Sequence, residues 1–269
     1  MKFTFDARPV LKWAGGKQAL AEQLVGFFPG DFSQYYEPFL GGASVLLTLQ
    51  PARAVVGDLN DWLLDTYVAL RTGHSRVAEY LDGMVNTREE FERIRSVRPE
   101  TLDIYRRAAH LIYLNKTCFR GLFRVNKKGQ FNVPYGAYDR RYYDPDNLGT
   151  VAGCFHDIEI RYTDFELCLA DVTADDFVYM DPPYYKQGGY SDFDRYTRWK
   201  FRENDHVRLA AVCRDLDDRG VRWAVSNSDT ALVRSLFDGY TLHPIANRRE
   251  INLNSQERDI RELLITNYG

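Results

Sequence analysis

One short apolar stretch that ends in two prolines constrains the fold of this chain more than any other part of it. Residues 176–180 read Asp-Phe-Val-Tyr-Met, and their β-branched and aromatic side chains predict a buried strand of an α/β sheet. Residues 181–184, Asp-Pro-Pro-Tyr, then lie at the carboxyl edge of that strand, where open α/β sheets bind ligands. Proline fixes φ and donates no backbone hydrogen bond, so this loop is stiff. We therefore expect a carboxylate, a free carbonyl and an aromatic ring to face one small space.

Those three groups would suit methylation of an adenine amine. The lone pair of that amine is delocalised into the ring, and two acceptors on its hydrogens favour a more pyramidal, reactive nitrogen. Asp181 and the carbonyl of Pro182 supply two acceptors, and Tyr184 supplies a face on which a base taken out of a duplex can stack. A plain turn after a strand is the competing interpretation, and the tetrapeptide alone leaves both open.

The size and composition of the chain allow one large domain or a core domain with an inserted module. Its 269 residues are 45% hydrophobic and 14% aromatic, which predicts a packed globule rather than a disordered chain. No apolar run approaches the roughly 18 residues of a membrane helix, and residues 1–6 lack the apolar core of a signal peptide. We expect a soluble cytoplasmic protein with no membrane partner.

The cysteines and histidines do not indicate a metal site or a disulfide framework. The five histidines are isolated, and the four cysteines are widely spaced, without a Cys-x-x-Cys pair. We therefore expect no metal, and free or core thiols at Cys118, Cys154, Cys168 and Cys213.

The net charge of −3 hides a strongly basic segment. Between Tyr105 and Arg141 there are nine lysines and arginines and one acid, Asp139, which leaves a local charge of +8. A merely solvated surface usually mixes charges of both signs. A cluster of one sign is the expected footprint of a surface that contacts phosphates.

Two glycine turns near the amino terminus predict a ligand site. Residues 11–17, Leu-Lys-Trp-Ala-Gly-Gly-Lys, precede a helical pattern over 18–28, so the backbone can approach a ligand closely and Lys17 can meet an anion. A capping turn with a packed Trp13 is the alternative. Residues 35–47 give a strand, a glycine turn and a helix, without the Gly-x-Gly-x-x-Gly motif of NAD-binding folds.

The second predicted strand, residues 54–56, is followed by an acid, Asp58. A carboxylate at the tip of this strand is well placed to accept hydrogen bonds from ribose hydroxyls. The alternative is that Asp58 only caps the helix that begins at residue 61.

Residues 61–107 have a helical pattern and no strand pattern, which interrupts the α/β alternation and predicts an inserted, mainly helical module. We expect a methyltransferase-type core in two parts, 1–60 and 155–269, around a target-recognition module at 61–154. The alternation resumes with helices over 164–169, 203–219 and 230–236 and strands over 158–162, 221–225, 240–244 and 261–268, and a mobile loop over the site is expected at 185–200.

The module carries a predicted β-hairpin within the basic segment 119–135. Two apolar runs flank Asn-Lys-Lys-Gly at 126–129, which is a hairpin signal. The hairpin could enter the major groove, where Arg124 would read a guanine edge. Contact with phosphates alone is the alternative, and charge favours it for Lys127 and Lys128.

Four separated motifs resemble the Dam/DpnII-type (class alpha, D12) DNA adenine-N6 methyltransferases. They are Lys-Trp-Ala-Gly-Gly-Lys at 12–17, Glu-Pro-Phe-Leu-Gly-Gly at 37–42, the segment 115–136 from Asn-Lys-Thr-Cys-Phe to Phe-Asn-Val-Pro-Tyr-Gly, and Asp-Pro-Pro-Tyr at 181–184. The resemblance covers residues 11–268 and implies a Rossmann-like α/β sheet with an antiparallel C-terminal hairpin. It also implies S-adenosylmethionine as the cofactor and a short duplex target, with GATC the first candidate.

The resemblance further implies roles for individual residues. Asp181, Pro182 and Tyr184 would hold the flipped adenine. Cofactor contacts would come from Trp13, Lys17, Glu37, Phe39, Gly41, Gly42, Asp58 and Asp181. DNA contacts would come from Lys12, Phe119, Arg120, Leu122, Arg124, Asn126, Lys127, Lys128 and Pro134, with Arg120 a departure because the Dam branch has Asn there.

We expect direct transfer of the methyl group without a covalent enzyme intermediate, because no Pro-Cys pair is present to act as a nucleophile. Other interpretations remain open: the same chemistry at another short motif, cytosine-N4 or RNA adenine methylation, or a catalytically silent DNA-binding regulator. The basic hairpin suits duplex DNA better than A-form RNA, whose major groove is too narrow for side chains. We expect double-stranded DNA as the partner of a monomer, and a cognate restriction nuclease is allowed.

Overall fold

A seven-stranded sheet organises the computed structural model, which describes residues 6–126, 128–185, 201–248 and 259–269. Its order is β3-β2-β1-β4-β5-β7-β6, and only β7 runs antiparallel to its neighbours. The predicted α/β class and the antiparallel last pair of strands are confirmed. The strands are β1 Tyr35–Glu37, β2 Ala54–Gly57, β3 Ile158–Arg161, β4 Phe177–Met180, β5 Arg222–Ser228, β6 Thr241–Arg248 and β7 Asp259–Thr266.

Helices cover both faces of this sheet. The predicted helix over 18–28 is reduced to five residues, because the amides of Phe27 and Phe28 bond three residues back and tighten the chain into turns. The described helices are α1 Ala21–Val25, α2 Ser44–Leu49, α3 Asp61–Asp82, α4 Arg88–Ser96, α5 Ile104–Thr117, α6 Pro145–Cys154, α7 Phe165–Cys168, α8 Glu203–Asp218 and α9 Ala231–Leu236.

Strand β4 is apolar throughout because both of its faces are covered. It lies between β1 and β5, with Phe177 and Tyr179 in the core on one face and Val178 and Met180 in the core on the other. All four side chains are fully buried. A parallel strand covered on both sides reads as a continuous apolar run, which is the pattern that the sequence shows.

The helices between β2 and β3 share one core with the sheet. Leu64 and Tyr67 of α3 and Leu114 of α5 belong to the same buried cluster as Phe177 and Tyr179. The Tyr67 ring also stacks on Phe155, 4.6 Å between centroids, at the end of α6. This helical segment therefore packs directly on one face of the sheet, and its assignment as a recognition module stays a prediction.

The predicted hairpin is shorter than expected. A single bridge joins Val125 to Phe131, and the described residues form no longer ladder there. The carbonyl of Asn132, which would accept from a backbone amide in a regular hairpin, accepts from the Arg124 guanidinium at 3.1 Å. The Asn126 side chain closes the turn by accepting from the amides of Lys128 and Gln130. Lys127 and the predicted loop at 186–200 lie outside the described residues.

Three expectations about chemistry can be compared with the described part of the chain. The four cysteines are free thiols, as predicted. In these ranges no helix is long and apolar enough to cross a membrane. Within the same ranges, no three His, Cys, Asp or Glu side chains are grouped so that they could share a metal ion.

Candidate active site

A buried ion pair joins the first glycine turn to the end of β4. The Lys17 ammonium lies 2.9 Å from Asp181 Oδ2, and the side chains of the two residues are 5% and 18% exposed. Lys17 also donates to the Gly15 carbonyl at 2.8 Å and lies 4.6 Å from the centre of the Tyr184 ring. The structure thus brings together three predicted site residues, Lys17, Asp181 and Tyr184, from distant parts of the sequence.

The second carboxylate oxygen of Asp181 is buried and has no hydrogen-bond partner among the described residues. Burial raises the pKa of Asp181, and Lys17 opposes that shift. Native structures rarely leave a buried acceptor unsatisfied, because the group loses water without gaining a partner. This oxygen, Oδ1, is therefore the atom of the site that could accept a hydrogen bond from a ligand.

Two further acids of the site lie on other strands of the sheet. Glu262, the fourth residue of β7, is 5% exposed and accepts a hydrogen bond from the Tyr184 hydroxyl at 3.1 Å. Glu37, at the end of β1, accepts from the Tyr35 hydroxyl at 2.9 Å. Burial, reinforced by Asp181, raises the pKa of Glu37 to about 8, so this carboxyl keeps its proton at neutral pH.

Glu262 was not predicted as a site residue. The signal that could have found it is an acid directly before the apolar run Leu263-Leu264-Ile265 of the final strand. Its position depends on the antiparallel course of β7, which pairs Glu262 with Ser228 at the carboxyl end of β5. Counting Glu37 as neutral, the formal charges of Asp181, Glu262 and Lys17 leave the site one unit negative, which suits a cationic ligand.

Asp58 holds the second glycine turn rather than the helix that follows it. Its two oxygens accept from the amides of Gly41, at 3.1 Å, and Asn60, at 2.9 Å. The cap of α3 is Asn60, whose side chain accepts from Leu63. The alternative that Asp58 is only a helix cap is therefore wrong. Burial raises the pKa of Asp58, and its contact with ribose hydroxyls stays a prediction.

The glycines of this turn make room for Trp13. Gly41 has φ +48°, and a Cβ there would lie 3.0 Å from the indole ring, while a Cβ on Gly42 would lie 3.3 Å from the Trp13 Cβ. Trp13 is half-buried and stacks on Phe123 at 5.0 Å. The packed Trp13 that the sequence left as an alternative is therefore present.

Phe39 lies in an aromatic cluster on the other face of the sheet. It stacks on Phe165 at 5.3 Å and meets Phe201 edge-on at 5.8 Å. Phe165 begins α7, directly after β3, and the Arg208 guanidinium lies 4.4 Å from its ring. Phe165 and Phe201 were not predicted as site residues, because the sequence around an isolated aromatic residue does not indicate which ring it will contact.

The buried side-chain amide of Asn115 joins two segments that carry predicted DNA contacts, one at Lys12 and one at 119–121. Asn115 is fully buried, accepts from the Lys12 amide at 2.7 Å and donates to the carbonyls of Lys12 and Gly121 at 2.8 and 3.1 Å. The first glycine turn is thereby fixed to the turn that carries Phe119 and Arg120. Phe119 is 45% exposed, and the Arg120 guanidinium lies 5.1 Å from its ring.

The other predicted DNA contacts differ in accessibility. The Arg124 guanidinium is half-buried and is already bonded to Asn132, through the side-chain oxygen at 2.7 Å and the carbonyl, so it is not free to read a base as the structure stands. Asn126 forms the turn, and Leu122 is half-buried against the core. Lys128 and Pro134 are exposed.

A cavity of about 640 Å³ lies beside this surface and is lined in part by Lys12 and Trp13. Its walls come from residues 8–18, α5 and the start of α6, and neither Asp181 nor Tyr184 lines it. Its basic side chains are Arg8, Lys12, Lys116 and Arg141, against one acid, Asp144, that is paired with Arg8 at 3.1 Å. Burial, then the neighbouring Lys12 and Arg140, lowers the pKa of Lys116 to about 8.

Comparison with known proteins gives a consistent assignment. The family model "D12 class N6 adenine-specific DNA methyltransferase" matches residues 13–251. The chain is 36% identical to the type II methyltransferase M.MjaIII of Methanocaldococcus jannaschii, covering 98% of this chain and 100% of that one. It is 33% identical to the type II methyltransferase M1.LlaDCHI of Lactococcus lactis subsp. cremoris, with 100% and 98% covered. It is 32% identical to the DNA adenine methylase of Escherichia coli, with 97% and 95% covered.

Arg120 has left-handed backbone dihedrals, φ 59° and ψ 8°, which asparagine and glycine tolerate better than arginine. We expect Arg120→Asn to raise the free energy of unfolding by about 1 kcal/mol, measured by urea denaturation. Arg140→Asn removes a cation from the same basic segment but changes no left-handed residue, and it should have little effect. Equal changes in the two variants would show that charge, not backbone strain, is responsible.

Glu37 should make stability depend on pH in a defined direction. A carboxyl whose pKa is higher in the folded chain favours folding below its unfolded value, and that contribution is lost as pH rises through the folded value, here about 8. We expect Glu37→Gln to match the wild type near pH 4 in urea denaturation, below the ordinary carboxyl pKa of 4.5. At pH 8.5 it should be more stable by roughly 5 kcal/mol, since the rise from 4.5 to about 8 spans about 3.5 pKa units of about 1.4 kcal/mol each.

The control for this comparison is Glu89→Gln, which removes an exposed acid from α4. Its stability relative to the wild type should change little between the two pH values. A constant difference between Glu37→Gln and the wild type across this range would mean that Glu37 is already ionised in the folded chain.

Proposed function

This chain belongs to the D12 class of N6 adenine-specific DNA methyltransferases, and we propose that it methylates an adenine that has turned out of a short duplex site, most simply GATC. Enzymes of this class use S-adenosylmethionine as the methyl donor. Membership favours adenine in DNA over the cytosine-N4 and RNA alternatives. The observation that carries the proposal is the buried, unpartnered Oδ1 of Asp181 beside the Tyr184 ring.

Asp181 and Pro182 would act directly on the target amine. Asp181 Oδ1 and the Pro182 carbonyl would each accept one hydrogen of N6, and this makes the nitrogen lone pair more available for attack. The bound donor would supply the methyl group, and N6 would lose a proton as it gains that group. Because burial raises its pKa, Asp181 is a suitable acceptor for that proton. Tyr184 would offer its ring for stacking of the flipped base.

The site also suits a sulfonium cofactor, which supplies the electrophilic methyl group when bound. The one excess negative charge near Asp181 and Glu262 complements the positive sulfur. The Lys17 ammonium, at the carboxyl end of β4, could contact the carboxylate of the cofactor's methionine part. Asp58, tied to the Gly41 amide, would accept from ribose hydroxyls. We propose cofactor contacts from Trp13, Lys17, Glu37, Phe39, Gly41, Gly42, Asp58 and Asp181.

We propose that the surface formed by the Lys12 segment and the turn at 119–121, which Asn115 bonds to each other, recognises the target. Lys12, Phe119 and Arg120 lie on it, and the one-signed charge of the segment from Tyr105 to Arg141 supports phosphate contacts. Arg124 would read a guanine only after exchanging its bonds to Asn132 for bonds to the base. GATC is placed first because of the motifs shared with the Dam/DpnII type. Another short motif is the alternative, since Arg120 replaces the Asn of the Dam branch.

Replacing Asp181 should test the catalytic assignment. Asp181→Asn puts an amide donor where an acceptor is needed, so we expect kcat for methyl transfer from labelled cofactor to fall at least roughly 1,000-fold, while DNA binding stays measurable. The matched control is Asp176→Asn, at the opposite end of the same strand. Asp176 is 5% exposed and bonds only to Thr173 among the described residues, so the turnover of Asp176→Asn should stay within a few-fold of wild type.

Near-normal turnover of Asp181→Asn would contradict the role given to this carboxylate. If the wild type itself transferred no methyl group to any duplex while still binding DNA, the silent-regulator alternative would be favoured.

The target can be read in one experiment. Expression in cells that lack DNA methylation, followed by single-molecule sequencing, should show N6-methyladenine in nearly all GATC sites. Complete modification of a different short motif would keep the family assignment and replace the target.

A further inference from the structure

Glu262 is a buried acid that contributes only its charge to the proposed cofactor site and has no assigned contact with the reacting groups. It stands in β7, hydrogen-bonded into the sheet between Ser228 of β5 and Ile245 of β6, and its side chain is on the same face as Leu264. At 5% exposure, a carboxylate loses most of its hydration, and this is costly unless the group gains partners. A buried acid at this position therefore needs an explanation.

The hydroxyl of Tyr184 is one partner of this acid, with its oxygen 3.1 Å from Glu262 Oε2. Tyr184 follows two prolines, so the preceding loop has no amide hydrogens of its own to anchor it. The next residue, Tyr185, is held through its backbone by Asn227 and Ser228 of β5. The ring of Tyr184 is therefore oriented from its far end, by a strand that is remote in sequence.

A second acceptor competes for the same hydroxyl. Burial raises the pKa of Asp181 and, after Lys17, the nearby Tyr184 side chain lowers it, yet Asp181 Oδ1 has no hydrogen-bond partner among the described residues. The Tyr184 hydroxyl instead donates to Glu262 Oε2, at 3.1 Å. Without Glu262, the hydroxyl would turn to the free oxygen of Asp181.

We propose that Glu262 is a positioning residue that holds the Tyr184 hydroxyl and keeps Asp181 Oδ1 free for the adenine amine. This inference rests on the proposed function. Glu262 touches no reacting atom: it acts through Tyr184, both by orienting the ring on which the base stacks and by removing a competitor for the acceptor that the base needs.

A double-mutant cycle tests this role, using methyl transfer from tritium-labelled S-adenosylmethionine to a duplex that contains the site mapped in cells. We expect Glu262→Ala to lower kcat roughly 10- to 100-fold, the range for losing a hydrogen bond to a charged group. In the Tyr184→Phe background, which has no hydroxyl to redirect, the same change should cost less than about threefold. At saturating cofactor, Glu262→Gln, which keeps an acceptor oxygen but not the charge, should have a kcat closer to that of the wild type than to that of Glu262→Ala.

Asp176→Asn is the control, because it removes a buried acid of equal exposure that makes no described contact with Tyr184. Any loss of kcat that it causes should be the same in both backgrounds. Equal losses for Glu262→Ala in both backgrounds, or a Glu262→Gln variant as slow as Glu262→Ala, would overturn the inference and leave the proposed function intact. A wild type that methylates no adenine would instead overturn the proposed function, and this inference with it.

Discussion

The ion pair between Lys17 and Asp181 is the interaction on which the site depends. Each charge alone would be costly to bury, and the pair is tolerated because the two groups are 2.9 Å apart and Lys17 gains a carbonyl from its own turn. The pair fixes the first glycine turn against the end of β4. Trp13, packed on the second glycine turn, and Asn115, which holds the backbone of Lys12, reinforce the same junction.

The hydrogen bonding of the site is incomplete among the described residues, and this indicates that the site binds a ligand. Asp181 has one satisfied oxygen and one that is buried without a described partner, while Glu37 keeps a proton and Glu262 binds Tyr184. A core built only for stability would not leave such groups at the edge of a sheet. A cation and an amine donor, which are the two chemical features of a sulfonium methyl donor and an adenine, match the groups left over.

The same junction connects the candidate active site to the surface proposed to contact DNA. Asn115 lies between the turn that supplies Lys17 and the turn that supplies Phe119 and Arg120, so the two cannot move independently without breaking buried hydrogen bonds. A strained Arg120 on this surface is an outlier of the kind that accumulates at functional positions, because surrounding packing must hold it in place. Its replacement by asparagine separates that strain from its charge.

Local pattern in the sequence determined the α/β class, the buried strand before Asp181, the helices α8 and α9 and the motifs of the family, since these depend on periodicity and on residue types within a few positions. Only the tertiary structure decided which groups meet: that Lys17 pairs with Asp181, that Asn60 rather than Asp58 caps α3, that Arg124 is held by Asn132, and that Glu262 enters the site. The contacts of Lys17 with Asp181 and of Glu262 with Tyr184 join residues that are far apart in the chain, and their partners are set by strand order and by the antiparallel course of β7, which no local pattern encodes. Asn60 and Arg124 bond to residues no more than eight positions away, and there the folded backbone decides which of the nearby polar side chains makes the contact.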